Sequence, residues 1–493
     1  MSNRCDQTYR ERMGGAGTTA PVYAAAVAVC VGAVCTGIAL AFTSNASEKL
    51  IAGQLNGLKM RQLDMYWNLC MMTMGACVST LPVAMMLDSY GRKATMMVST
   101  LPFYLGYILI VFAQHIYMVH VGRFITGLGA GAFSCCCPLY AGEIAPKVIR
   151  GRVISFYFMF VSFGFVYATI FGWLLPIKLF IFACMIVPLI FTAMFFFQPK
   201  SPVHAVQTGK AIDAAEALRA LRGPKYDVTT EINTIKLELS RAGQSDTFFG
   251  IFKDRGVVRA TVIAVALQAL KHLVGATLVL TFSSEIVRGC EFSNTMVKWS
   301  VIIGGLIQAL ASLIPLKYVD TIGRRFLLII GFTITFTTSI ILGVYKIYKN
   351  RQLAPNNLLV ALNWLPLSAL AIYWLGYGAG LGTIASLTAE EVFPADVRVK
   401  CKCFTEFCNW FVQYTGFASF VVTMAYLQFG ELCGHEFLYC YYCFFSIIGI
   451  LLTIFIYPEG TNKTSLEIFT EIKDRAHIYR SYKEEPIFRS NTR

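Results

Sequence analysis

Twelve runs of about 20 mostly apolar residues follow one another along this chain, and no other feature limits its fold as sharply. They lie near 19–42, 65–87, 95–117, 118–140, 153–175, 177–197, 257–282, 296–316, 326–345, 357–388, 404–428 and 437–457. A hydrocarbon core about 30 Å thick offers no water to backbone amides and carbonyls, so a crossing segment must satisfy them within itself. Runs of this length meet that demand as helices. One long hydrophilic stretch, 198–256, separates six runs from six. The expected fold is therefore all-α and membrane-integral, with twelve transmembrane helices in two six-helix halves.

Composition agrees with this reading. Hydrophobic residues make up 56% of 493 positions and charged residues 14%, against about a quarter charged in soluble domains. A net charge of +14 would point to nucleic acid in a soluble chain. Here the basic residues collect in alternate loops: Arg92 and Lys93, Lys147, Arg150 and Arg152, much of 198–256, Arg324 and Arg325, then Arg398, Lys400 and Lys402. That asymmetry places those loops and both tails in the cytoplasm of a cell membrane and makes a nucleic-acid partner unnecessary. Arg4, Arg10 and Arg12 before the first run imitate a signal peptide, but the run is too long for one and is expected to stay as the first span. The expected organisation is an N-terminal tail at 1–18, a helical bundle at 19–197, a cytoplasmic linker with short helices at 198–256, a second bundle at 257–457 and a C-terminal tail at 458–493.

Two short patterns recur in the same order in each half. Asp88-Ser-Tyr-Gly91-Arg92-Lys93 returns as Asp320-Thr-Ile-Gly323-Arg324-Arg325, 232 positions later. Glu143-Ile-Ala-Pro146-x-x-x-Arg150 returns as Glu391-Val-Phe-Pro394-x-x-x-Arg398, 248 positions later. One such pattern is what any basic membrane border looks like; four in matched places indicate duplicated halves. Acidic groups where helix ends meet can pair with the arginines, and the arginines can also hold helix C-terminal carbonyls. The expectation is a set of water-exposed pairs, individually weak, that closes the cytoplasmic face and opens again. Parallel halves around a midplane site are the architecture of transporters that rock between two faces.

Arg123, Gly127, Gly129, Gly131, Pro138, Tyr140, Glu143, Pro146, Arg150 and Gly151 resemble the R-x-x-x-G-x-G-x-G and P-x-Y-x-x-E-x-x-P-x-x-x-R-G patterns of the sugar porter family of the major facilitator superfamily. Pro199-Lys-Ser-Pro202, Asn409-Trp410 and Pro458-Glu459 extend the likeness over nearly the whole chain. The short first loop and Ala41-Phe42-Thr43-Ser44 look most like the insect facilitated trehalose transporters. The resemblance implies a small-molecule carrier, with Arg123 counted among the gate residues and the three glycines packing helices closely.

The family's sugar-binding amides are only partly present. Gln268 and Gly275 remain in the seventh span, while Lys271-His272 replaces a Gln-Gln pair, Val274 a Ser and Thr277 an Asn. Phe158 stands at a fifth-span Gln, and Thr383, Ala385 and Ser386 replace Pro-x-Pro-Trp. Gln308, Asn409, Trp410 and Gln413 stay polar or aromatic where the resemblance implies contact with substrate. A lysine at mid-membrane costs about 2.5–3.5 kcal/mol on insertion scales, so Lys271 is expected to face a wet cavity or an anion. Deprotonation of a desolvated amine would also open a route to proton coupling.

Three functional readings follow: a sugar transporter, a carrier for an organic anion or proton-linked solute built on Lys271 and His272, and a solute receptor that does not transport. No phosphate-binding loop, metal cluster or catalytic triad stands out, so neither an enzyme nor a cofactor is expected. The partners are a small polar solute, the lipid bilayer and, in the second reading, protons. Asn45-Ala46-Ser47 is a glycosylation sequon expected in the first external loop, whereas Asn462-Lys463-Thr464 should be cytoplasmic. Most of the 16 cysteines fall inside spans; Cys290 and Cys433 lie outside, either as free thiols or as a disulfide.

Overall fold

The computed structural model describes residues 20–146, 149–224, 226–240, 250–281, 283–290, 292–350, 362–394, 397–425, 437–460 and 467–473. Every regular element among them is a helix.

The first half runs through α1 (Ala20–Ile51), α2 (Gln62–Ser89), α3 (Gly91–Val98) continuing as α4 (Leu101–Val111), α5 (Ile116–Ile144), α6 (Arg150–Leu174) and α7 (Ile177–Phe196). Short helices α8 (Pro202–Gln207), α9 (Ala211–Arg222) and α10 (Val228–Ser240) fill the hydrophilic stretch. Ser201 caps α8 by accepting from the His204 amide at 3.2 Å, as small hydroxyl residues do at helix starts. The second half comprises α11 (Arg255–Leu273), α12 (Ala276–Thr281), α13 (Ser283–Arg288), α14 (Asn294–Ala311), α15 (Leu313–Ile322), α16 (Arg324–Asn350), α17 (Trp364–Gly376), α18 (Gly382–Glu391), α19 (Arg398–Ala425) and α20 (Phe437–Phe455).

Eleven segments among the described residues are long and apolar enough to cross a bilayer. The twelfth, α19, is long enough but more polar, because Lys402, Glu406, Asn409 and Gln413 lie along it. The core of the first half extends from Val22 to Phe195 and receives Trp410 from α19; that of the second half extends from Ile251 to Ile472 and receives Ile154 from α6. Leu105, Leu189 and Phe444 stay exposed on the outside, as suits a lipid-facing surface.

Small residues let the helices touch. A methyl group on Gly127 would lie 2.1 Å from the Met72 carbonyl oxygen, and one on Gly131 2.1 Å from that of Ala76. These two glycines seat α5 on α2, and Gly129 faces the Phe103 ring. Lipid offers no hydrophobic drive to helix pairing, so close backbone packing supplies the attraction.

Two spans expected as continuous are interrupted. Val274 and Gly275 break the seventh, with Gly275 at φ +83°, a left-handed conformation that only glycine adopts without strain. The tenth carries a π-helical turn, Tyr377–Leu381, between α17 and α18. Thr383 Oγ1 donates to the Gly378 carbonyl at 3.1 Å within it. Both irregularities occur inside the protein, where side chains satisfy the freed backbone groups; Tyr373, for example, donates to the Val274 carbonyl at 3.2 Å.

The glycosylation expectation at Asn45 needs correction. The first helix continues to Ile51, so the sequon lies in a helix rather than a loop. The Asn45 amide donates to the Ala41 carbonyl at 2.8 Å and to Thr169 Oγ1 at 3.3 Å. At least one of these contacts must break before that nitrogen can carry a glycan. Cys290 is buried, and its Sγ donates to the Ile286 carbonyl at 3.5 Å; Cys433 and the sequon at 462–464 lie outside the described residues.

Candidate functional site

A cavity of about 140 Å³ sits where the two halves meet, with room for several water molecules. Thr36, Ser134, Tyr157, Phe158 and Ser162 line it from the first half. Lys271, His272, Gln308, Asn409, Trp410 and Gln413 line it from the second, together with Glu406. Two hydrogen bonds cross between halves at its wall: Trp410 Nε1 to Ser134 Oγ at 3.0 Å and Gln308 Nε2 to Ser162 Oγ at 3.3 Å.

Lys271 and His272 occupy the last turn of α11, just before the break, which is why adjacent residues both reach the cavity. Lys271 Nζ donates to Gln268 Oε1 at 2.7 Å and to Ser386 Oγ at 3.2 Å. Gln268 is fully buried behind Lys271, accepts the bond from its ammonium and does not itself line the cavity. His272 Nε2 lies 2.8 Å from Asn409 Oδ1. The Thr277 side chain lies outside the described residues.

Beyond Asn409 runs a charged chain that the sequence reading missed. Asn409 Nδ2 donates to Glu406 Oε2 at 3.1 Å; Glu406 Oε1 accepts from Lys402 Nζ at 2.8 Å; and Lys402 Nζ also pairs with Glu390 Oε1 at 2.9 Å. All three charged groups are buried, Lys402 completely. Lys402 had been grouped with the basic border residues, whereas its ammonium points inward. The i, i+4, i+7 spacing of Lys402, Glu406 and Asn409 on one helical face was the available signal.

At the basic face the duplicated patterns form duplicated geometry. Gly91 (φ +81°) and Gly323 (φ +98°) make the sharp turns. Each following arginine then folds back on the carbonyl five residues earlier, Arg92 Nη1 on Leu87 at 3.3 Å and Arg324 Nη1 on Val319 at 2.8 Å. Arg92 donates through Nε and Nη2 to Glu143 Oε1 at 2.9 and 2.6 Å, and Ser201 Oγ completes Glu143 from the linker at 2.5 Å. Arg324 grips both oxygens of Glu391, at 3.1 and 2.9 Å. Lys93 holds the Phe196 and Gln198 carbonyls at the end of α7, and Arg325 holds that of Thr453 in α20. Glu459 accepts from the Arg324 and Arg325 amides at 3.1 and 3.2 Å, capping α16 with a carboxylate.

This geometry corrects two expectations. Neither arginine–glutamate pair is a water-exposed contact between halves: each lies within one half, and the Arg92 side chain is only 1% exposed. Asp88 is exposed and meets His204 through its backbone carbonyl, at 3.3 Å, rather than through its carboxylate; the Asp320 side chain lies outside the described residues. Burial and the nearby Arg92 charge hold the His204 imidazole below its ordinary protonation range. Arg150 is half-buried at the start of α6, and Arg398 Nε donates to the Phe393 carbonyl at 3.2 Å.

Arg123 is not a member of this group. It precedes Glu143 by 20 positions on one helix, which places it about 30 Å away at 1.5 Å per residue. Fully buried, it donates to the Ala39 carbonyl at 2.7 Å and sits 5.0 Å from the Phe42 ring centre. On that opposite face Glu48 of α1 pairs with Arg288 and lies 3.9 Å from Lys298, while Trp173 packs edge-on to Trp299 at 5.3 Å.

Two helical halves with repeated basic turns around a chamber that carries polar side chains from both define a membrane transporter of the major facilitator type, not an enzyme. The model of the family described as "Sugar (and other) transporter" matches residues 26–472, and the chain belongs to that family. It is 27% identical over 466 residues to the facilitated trehalose transporter Tret1 of Polypedilum vanderplanki, covering 93% of this chain and 90% of that one. It is 28% identical over 472 residues to the facilitated glucose transporter member 6 of solute carrier family 2 from Mus musculus, covering 93% and 92%. Among solved structures, the proton:xylose symporter XylE bound to 6-bromo-6-deoxy-D-glucose superposes with a TM-score of 0.79 at 20% identity, over 92% of this chain and 99% of that one. The inward-open form of XylE from E. coli gives 0.69 at 19% identity over 92% and 99%.

Proposed function

We propose that the protein carries a small polyhydroxylated solute of the sugar class across the cell membrane by alternating access. The observation that carries this reading is the chamber between the halves, whose hydroxyl groups from the first and hydroxyl and amide groups from the second offer donors and acceptors together. Its relatives are named as carriers of trehalose and glucose, which agrees with such a lining.

In this reading Phe158, Lys271, His272, Gln308, Asn409, Trp410 and Gln413 contact solute, and Gln268 supports Lys271. The basic face is cytoplasmic, as are both tails, because lysine and arginine are retained on that side during insertion. Asp88, Gly91, Arg92, Lys93, Glu143, Arg150, Asp320, Gly323, Arg324, Arg325, Glu391 and Arg398 form the cytoplasmic framework against which the halves, roughly 19–197 and 257–457, move. The test is counterflow of labelled trehalose and glucose in liposomes reconstituted with the purified protein. Exchange above empty liposomes supports transport; a solute that binds in detergent but never exchanges supports the receptor reading instead.

Coupling to protons is favoured by one observation, the buried Glu390–Lys402–Glu406 group reaching the chamber wall. Two carboxylates share one ammonium there, so a proton has a low-cost place to reside. An inward proton gradient should then accelerate net uptake, and a gradient-independent rate would leave a purely facilitative carrier.

A further inference from the structure

The two ammonium groups beside the chamber are treated very differently. Lys402 is fully buried and compensated by two carboxylates at 2.9 and 2.8 Å. Lys271 is 6% exposed, and its partners are both neutral, Gln268 Oε1 and Ser386 Oγ. Among the described residues no carboxylate lies within 4.0 Å of the Lys271 nitrogen. An ammonium has three donors, and the two bonds leave one for the chamber that Lys271 lines.

The chamber's own carboxylate, Glu406, acts on Lys271 only from a distance and accepts no hydrogen bond from it. Glu406 Oε1 is held by Lys402 and Oε2 by Asn409. A desolvated cation with only neutral acceptors is costly, and a ligand that brings the missing negative charge gains most by binding there. Charge-assisted bonds from an ammonium to a carboxylate are shorter and stronger than those to a hydroxyl. The rest of the wall remains suited to hydroxyl groups, with Gln308, Gln413, Ser162 and Ser312 within it.

Building on the transport reading, we infer that the chamber's preferred solute is a hydroxylated carboxylate, an acidic sugar of the uronate or aldonate class, whose carboxylate takes the free donor of Lys271 while its hydroxyls meet the amides and serines. A neutral sugar fills the same space and leaves the ammonium without a carboxylate in hydrogen-bond contact.

The experiment uses the full chain, purified in detergent for calorimetric binding and reconstituted for counterflow, with glucuronate, gluconate, glucose, trehalose and propionate as probes. Glucuronate or gluconate should bind at least tenfold more tightly than glucose and trehalose, and more tightly than propionate, which has the carboxylate without the hydroxyls. Lys271→Gln should reverse the order of acid and neutral sugar, and Lys271→Arg should preserve it. Equal or better binding of neutral sugars by the unaltered protein overturns the inference, as does unchanged acid affinity in Lys271→Gln. Propionate binding as tightly as gluconate also overturns it, in favour of a general anion site. Acid binding without exchange of any solute upholds the inference and sinks transport; exchange of glucose without acid binding does the reverse.

Discussion

Trp410 of the second half donates its indole N–H to Ser134 of the first, at 3.0 Å, on the wall of the central chamber. Ser134 in turn donates to the Gly131 carbonyl at 2.8 Å, which leaves its oxygen turned to the indole. Ser134→Ala strands a buried N–H, a loss of about 1–3 kcal/mol. The penalty falls on the arrangement in which the halves meet here, so solute affinity measured by calorimetry should weaken about tenfold. Ser134→Thr keeps the acceptor and should lose far less.

The two arginine–glutamate pairs are copies in geometry but not in environment. Side-chain exposure is 1% and 3% for Arg92 and Glu143, against 5% and 12% for Arg324 and Glu391. Removing one partner of a buried pair costs about 3–5 kcal/mol because the other charge stays buried. Arg92→Ala should therefore lower the melting temperature in detergent more than Arg324→Ala, since Glu391 is closer to water. Equal shifts would refute this ranking.

Lys402→Met leaves Glu390 and Glu406 facing each other without their shared cation. Loss of the monodisperse peak in size-exclusion chromatography is the expected result at neutral pH. Adding Glu390→Gln and Glu406→Gln to the same variant removes the stranded charges and should restore the peak.

Gly127 and Gly416 provide a matched contrast. A methyl on Gly127 would sit 2.1 Å from a backbone oxygen of α2, whereas nothing lies within 4 Å of one on Gly416. Gly127→Ala should cost about 1–3 kcal/mol or more as overpacking, and Gly416→Ala should be neutral or stabilise by about 0.5–1 kcal/mol through lost backbone freedom. Thermal melts of the two variants in parallel decide the matter.

His204 packs over Gly91 beside Arg92, and its folded-state affinity for a proton is depressed by burial and by that charge. The unfolded chain protonates first, near pH 6.5. Stability present at neutral pH is then lost as pH falls from about 6.5 toward the lower folded value, because the unfolded state binds the extra proton. Melting temperature should drop between pH 7.5 and 5.5, and His204→Gln should flatten the slope. An unchanged slope in the variant would assign the pH response to other groups.

The spans, the duplicated turns and the polar lysine at mid-chain were legible because each is a local or periodic signal. A run of about 20 apolar residues needs helical structure in lipid whatever its neighbours. Partners that depend on three-dimensional packing were not legible. Lys402 stands only two positions from Lys400, yet its ammonium reaches two carboxylates inside the protein. Arg123 belongs to the same sequence pattern as Glu143, yet a continuous helix carries it toward the other face. The break at Val274–Gly275 was hidden because a glycine within a long hydrophobic run does not reveal whether it will take the left-handed conformation that interrupts the helix. Asn45 was misjudged because a helix does not stop where hydrophobicity does.

The carboxylate of Glu459 holds the first amides of α16 from beyond the last span. A tug on the trailing segment is therefore delivered to the very turn where Arg324 grips Glu391. Whatever seizes that tail gains a handle on the second half, while the linker, through Ser201 on Glu143, holds the matching turn of the first.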